Sequence, residues 1–160
     1  MNSFSVSGKL ALITGASSGI GFGAAKAPAE SGADLILTGR RPAELDKAAK
    51  ALAKLAARVH VVPLDLQEVS NIPEWFEQVC AKTGAPDILI NSAGIRRRGP
   101  AVELSLSDWN DVMSVNVTAI FELSRCFARM RIANGGGGRI VNLASLMTAA
   151  ARPGTSAYTA

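Results

Sequence analysis

The sequence predicts an α/β domain built on a doubly wound parallel sheet, and three observations predict it. Short β-rich apolar runs alternate with longer helical stretches along all 160 residues. The first apolar run leads straight into a glycine-rich turn, Thr14 to Gly21, that opens a helix. The helical stretches carry apolar residues at a period near 3.6, as crossover helices between parallel strands do.

Five strands follow from the runs Leu10–Thr14, Asp34–Thr38, Arg58–Val62, Asp87–Asn91 and Arg139–Leu143. The first helix is expected from Gly19 to about Ser31. Pro28 falls inside it, where a lost donor and a steric clash cost about 3 kcal/mol, so a kink or an early end is expected. Leu45, Ala48, Ala49, Leu52 and Leu55 recur at helical spacing opposite Lys47, Lys50 and Lys54, which reads as an amphipathic crossover helix. From Ser107 to about Ile132 a stripe of Trp109, Val112, Met113, Ile120, Leu123, Phe127 and Met130 runs beside Val117 and Phe121. So wide a stripe implies contact with the sheet and with something else. Gly135 to Gly138 reads as a turn between that helix and the last strand. No repeat or linker divides the chain, so residues 1–160 form a single Rossmann-type nucleotide-binding domain.

Composition narrows the function. The chain is 48% hydrophobic and 19% charged, enough to bury a core, and its net charge of +4 owes much to Arg96, Arg97 and Arg98. A broad basic face for nucleic acid is not expected. Cys80 and Cys126 are far apart, lack a CxxC spacing and have only His60 to join them, so they read as reduced core thiols, with no metal site. From Met1 the chain reaches the run Leu10–Ile13, too short for a signal segment or membrane span, and a soluble cytoplasmic protein with no membrane partner is expected.

The glycine-rich turn carries the first chemistry. Gly15, Ser17, Ser18, Gly19, Ile20 and Gly21 stand in the spacing T-G-x-x-x-G-x-G. Glycines permit a tight turn and let backbone N–H groups approach a pyrophosphate, whose charge suits a helix N-terminus. An ordinary tight βα turn is the competing reading. At the end of the second strand, an acidic residue would bind a ribose 2′-hydroxyl and an arginine a 2′-phosphate. The chain has Thr38, Gly39, Arg40 and Arg41 there, which favours NADP(H) over NAD(H), with Arg40 as the clamp and Arg41 as helper. Solvated loop charges are the alternative.

Several motifs occur in order: Thr14 to Gly21, Asp65, then Asn91-Ser92-Ala93-Gly94, Asn116, Ser145 and Tyr158. In these the sequence resembles the short-chain dehydrogenase/reductase family from about Ser7 onward. The resemblance implies that Asp65 and Leu66 contact adenine, although Asp65 also reads as a turn-capping residue. It implies that Asn91, Ala93 and Gly94 steady the sheet and line the cofactor cleft, with Ser92 standing where the family has a second Asn. It assigns Ser145 to holding the substrate oxygen, Tyr158, thirteen residues on, to proton transfer, and Asn116 to positioning a relay water. The bland readings are a kink cap for Asn116, a turn residue for Ser145 and a terminal aromatic for Tyr158.

Hydride transfer to or from a nicotinamide requires an acid or base within hydrogen-bond reach of the substrate oxygen. An ordinary phenol titrates near pH 10, and half-ionising it near neutrality costs about 4 kcal/mol. In the family a Lys four residues after the Tyr lowers that cost and binds the nicotinamide ribose. Here that position falls past Ala160, so the sheet is expected to be incomplete, lacking the last helix and two strands, with the fifth strand as an edge. The chain is accordingly expected to be a fragment of a longer active enzyme or a non-catalytic nucleotide-binding remnant. The stretch from Ala93 to Arg98, with Asp108 to Met113 and Ala144 to Met147, resembles the branch of 2-deoxy-D-gluconate 3-dehydrogenases and gluconate 5-dehydrogenases. That resemblance implies a secondary alcohol or ketone of a sugar acid as the small-molecule substrate, with Arg96 or Arg97 pairing its carboxylate, and a homo-oligomer for the full-length family.

Overall fold

In the computed structural model, which describes residues 5–56 and 58–160, five parallel strands lie in the order β3-β2-β1-β4-β5. β1 (Leu10–Thr14) leads to helix α1 (Gly19–Glu30), β2 (Asp34–Thr38) to α2 (Pro42–Leu52) and β3 (Val59–Val61) to α3 (Ile72–Thr83). β4 (Ile88–Asn91) leads to α4 (Leu106–Met113) and α5 (Ala119–Ala133), and β5 (Arg139–Asn142) to the short α6 (Ser156–Thr159). The chain winds outward from β1 to β3, then returns to add β4 on the other side of β1. That reversal leaves a crevice at the carboxyl ends of β1 and β4, where doubly wound sheets hold ligands.

Alternate residues of each central strand face opposite layers. Ile13, Leu35 and Leu37 pack with Ala25, Ala29, Leu45 and Leu52 from α1 and α2. Leu12, Ile36 and Leu89 pack on the other face with Phe76 and Val79 of α3 and Leu123 and Phe127 of α5. Covering both faces explains why the central strands β1, β2 and β4 are apolar over most of their length. Each large side chain so buried contributes about 1.5–3 kcal/mol before chain entropy is counted.

Several sequence expectations shift. β1 and β2 have their expected bounds, while β3, β4 and β5 are each shorter by one or two residues. Asp87 stands just before β4, its backbone still bonded to Leu10 and Arg139 on either side, while its carboxylate accepts from the Leu10 amide at 3.1 Å and meets Arg131 at 3.2 Å. The expected early end at Pro28 does not occur. Only one donor is lost in the last turn, and the Pro28 carbonyl accepts from Ser31 and Ala33 at 3.1 and 3.0 Å, so α1 reaches Glu30. Leu55 lies beyond α2 and is 40% exposed, not part of its buried stripe.

The expected helix from Ser107 to Ile132 is broken by a π turn at Ser114–Thr118. Ser105 caps its start, accepting from the Asp108 amide at 3.0 Å. Val112, Leu123 and Phe127 are buried, whereas Val117 and Phe121 are exposed. Helix α3 had no counterpart in the sequence reading. Among the described residues no helix is long and apolar enough to cross a membrane. Met1, from which the N-terminal reading starts, lies outside the described residues.

Candidate active site

The β1–α1 turn is held against the segment after β4 by contacts that leave no room for side chains. Gly15 has φ +65°, and a Cβ there would lie 2.8 Å from the Ala93 Cα. One on Gly21 would overlap the Gly15 carbonyl. Thr14, 2% exposed, fixes the same juncture: its Oγ1 accepts from the amides of Ser92 and Ala93, both at 3.0 Å. The sequence reading passed over Thr14 as a site residue, although its place just before Gly15 at the strand end marks it.

Helix α1 opens without a competing anion. Its N-cap Ser18 makes no side-chain capping bond and no carboxylate stands in the first turn. The unpaired amide donors and positive dipole end are thereby left for a ligand. A cavity of about 470 Å³ lies at this end, lined by Gly15, Ser17, Ser18, Ile20 and Gly21. Arg40, Arg41, Asp65 and Leu66 close it opposite, and Ala93 and Gly94 form its floor toward β4. Neither Arg40 nor Arg41 makes an ion pair among the described residues. Asp65 Oδ1 accepts from the Gln67 amide at 3.0 Å, so this carboxylate caps a turn while also facing the cavity.

Two expected residues do not line that cavity. Gly19, at φ +56°, shapes the turn. Asn91 is 1% exposed, and its Nδ2 donates to Asn142 Oδ1 at 2.9 Å and Ser124 Oγ at 3.3 Å. Asn91 therefore joins β4 to β5 and α5 and steadies the sheet, without reaching the cleft.

A second cavity, of about 620 Å³, shares Ser92, Gly94 and Ile95 with the first. Ser145 and Tyr158 both line it. Ser145 stands just past β5 and caps a short 3₁₀ turn, its Oγ accepting from the Met147 amide at 3.2 Å. Tyr158 rides on α6, held down by the buried Ala157 and by Thr155 Oγ1 donating to the Arg152 carbonyl at 2.8 Å. Asn116 lines neither cavity. Its side chain is occupied by Ile95, accepting from the backbone N–H at 2.9 Å and donating to the carbonyl at 2.8 Å. The π turn containing Asn116 thus holds one of the three residues that border both cavities.

The arginine run divides by alternation. Arg96 and Arg98 line the second cavity, whereas Arg97 turns to α4 and pairs with Asp108 at 3.1 Å and Asp111 at 2.8 Å. This removes Arg97 from the expected carboxylate-binding set. Arg152, which the sequence reading did not single out, lines the same cavity. Chemically, the two hydroxyls can hold and protonate an oxygen, the arginines can meet an anion, and the adjoining cavity fits a phosphate-bearing ligand.

The chain is similar to known proteins over nearly its whole length. The chain is 41% identical over 157 residues to a gluconate 5-dehydrogenase of Gluconobacter oxydans, covering 98% of this chain and 61% of the relative. It is 36% identical over 148 residues to a 2-dehydro-3-deoxy-D-gluconate 5-dehydrogenase of Escherichia coli, covering 92% and 58%. Among solved structures, a protein of Beutenbergia cavernae provisionally named an NAD(P)-dependent gluconate 5-dehydrogenase, with NADP bound at low occupancy, superposes with a TM-score of 0.90 at 36% identity. That superposition covers 98% of this chain and 61% of the other. The chain thus spans about three-fifths of the length of these relatives. Residues 9–160 match the short chain dehydrogenase family, and the chain belongs to that family.

Proposed function

We propose that the protein is an NADP(H)-dependent oxidoreductase that interconverts a secondary alcohol and a ketone on a gluconate-type sugar acid. The observation that carries this reading is the continuity of two cavities through Ser92, Gly94 and Ile95, one walled by the glycine-rich turn and the other by Ser145 and Tyr158. The names of the relatives supply the sugar acid.

The cleft fits a dinucleotide because the crowding at Gly15 and Gly21 brings bare backbone to its wall beside an uncapped helix start. Arg40 and Arg41 would meet the 2′-phosphate, and Asp65 and Leu66 the adenine. Bound there, the cofactor supplies hydride exchange with the substrate carbon. Ser145 Oγ holds the substrate oxygen. Tyr158 accepts the hydroxyl proton during oxidation and donates a proton to the carbonyl during reduction. Asn116 acts through Ile95, whose backbone N–H and carbonyl its side chain holds. The reading extends to a cytoplasmic homo-oligomer, supported by two free cysteines and by the outward-facing Val117 and Phe121.

The test is NADPH and NADH absorbance at 340 nm with gluconate and 5-ketogluconate as substrates. Turnover that is lost in Tyr158→Phe, and that in Arg40→Ala loses its preference for the phosphorylated cofactor, is the expected result. NADPH binding with no turnover of either compound would replace the enzyme with a nucleotide-binding module.

A further inference from the structure

We infer that the reaction cavity is built for a doubly anionic substrate, a sugar acid carrying a second carboxylate or a phosphate. This inference rests on the sugar-acid reading and specifies its substrate class.

Three exposed arginines, Arg96, Arg98 and Arg152, are among the residues lining the cavity that holds Ser145 and Tyr158, and no carboxylate among the described residues lines it. None of the three makes an ion pair among the described residues, while Arg97 between the first two is paired twice. The contrast matters because a neighbouring arginine shows that carboxylate partners are within reach of this loop and are used by the side chain pointing the other way. The three cavity arginines approach from two segments, one following β4 and one preceding α6. A Gly99 N–H to Gly154 carbonyl bond at 3.3 Å ties those segments together. The Arg152 backbone is held further by the Thr155 hydroxyl at 2.8 Å.

A sugar monocarboxylate has one planar anionic group, which matches one or two guanidinium forks. It would leave at least one of the three arginines without an anionic partner in the cavity. A second anionic group answers the remaining arginine, and about 620 Å³ accommodates a six-carbon chain with both ends charged. The adjoining cavity has its own Arg40 and Arg41 for a nucleotide phosphate, so the three arginines are not needed there.

Calorimetric titration of the NADPH-loaded protein with gluconate, glucarate and 6-phosphogluconate tests the inference. Expected is at least tenfold tighter binding of one or both dianions than of gluconate, with a steeper loss on raising salt. Glucarate against 6-phosphogluconate decides between carboxylate and phosphate as the second group. Arg152→Gln should weaken the dianion about tenfold and gluconate less than twofold, and Arg152→Lys should recover part of the difference. Arg97→Gln, a control for the fold of the loop, should lower melting temperature without separating mono- from dianion. Equal affinities for all three ligands, or an Arg152→Gln loss shared equally by mono- and dianions, overturns the inference. Turnover of gluconate alongside equal affinities would sink it while leaving the sugar-acid reading intact. Tight dianion binding without turnover of any sugar acid would do the reverse.

Discussion

Two buried threonines stand opposite each other in the sheet register, Thr14 at the end of β1 and Thr38 at the end of β2, and their hydroxyls have different fates. Thr14 Oγ1 takes two backbone donors, whereas Thr38 Oγ1 has no hydrogen-bond partner among the described residues. Replacing Thr14 by Val strands the amides of Ser92 and Ala93, at about 1–3 kcal/mol for each orphaned donor. Thr14→Val should therefore lower stability by about 2–6 kcal/mol in urea denaturation and loosen the nucleotide cleft, with Thr14→Ser restoring most of it. Thr38→Val removes no bond and should be neutral or slightly stabilising. Equal losses at the two positions would show that β-branched packing, not the hydroxyl, matters at both. At this scale the sequence was partly readable. The glycine spacing marked the turn because positive φ is a local demand, but the choice between Arg97 and its neighbours depends on Asp108 and Asp111, which tertiary packing brings near.

Helices α3 and α5 face each other across one side of the sheet, and each carries a half-buried cysteine. Burial is the main reason both thiols are pushed up, with Cys126 and Glu77 adding to Cys80 and Glu122 adding to Cys126. A raised thiol is protonated and inert in the folded state. Iodoacetamide at pH 7.5 should therefore modify native Cys80 and Cys126 several-fold more slowly than the same residues in urea. The linkage runs one way: this stabilisation is complete below the ordinary thiol range and is lost as pH rises through the raised folded values. The denaturation midpoint should fall as pH rises above the ordinary thiol range, and fall less in Cys80→Ala. The Arg125 hydrogen bond, the largest influence on Glu122, holds that carboxyl below its usual range, so its contribution is present at neutrality and lost on acidification. Helix α3 itself went unread although Ile72, Phe76 and Val79 recur at helical spacing. Pro73 sits within its first helical positions, where no intrahelical donor is lost, and does not count against a helix.

The whole molecule is a sheet whose β5 has an outer edge that pairs with no other strand among the described residues. Ile140 and Val141 on it are 41% and 48% exposed, and Phe121 and Ile132 of α5 add apolar surface. A polypeptide of residues 1–160 alone should self-associate as its concentration rises, read by sedimentation velocity, and Val141→Lys should shift it toward monomer. Strand order and layering were legible at this scale because alternation of apolar runs with amphipathic helices leaves few topologies. The π turn was not, because apolar periodicity reads straight through it. Its consequence concerns chain length. A turn closed by i to i+5 bonds absorbs one residue more than an α turn, so the flanking faces keep their orientation. Removing Val117 should let the helix close in plain α form with Val112 and Leu123 still inward, giving a folded protein whose Asn116 no longer meets Ile95. Removing one residue from the middle of α5 would instead swing everything beyond it by about 100° and expose Phe127. The expected outcome is thus a chain one residue shorter that keeps its fold but loses the brace on Ile95, a residue that borders both cavities.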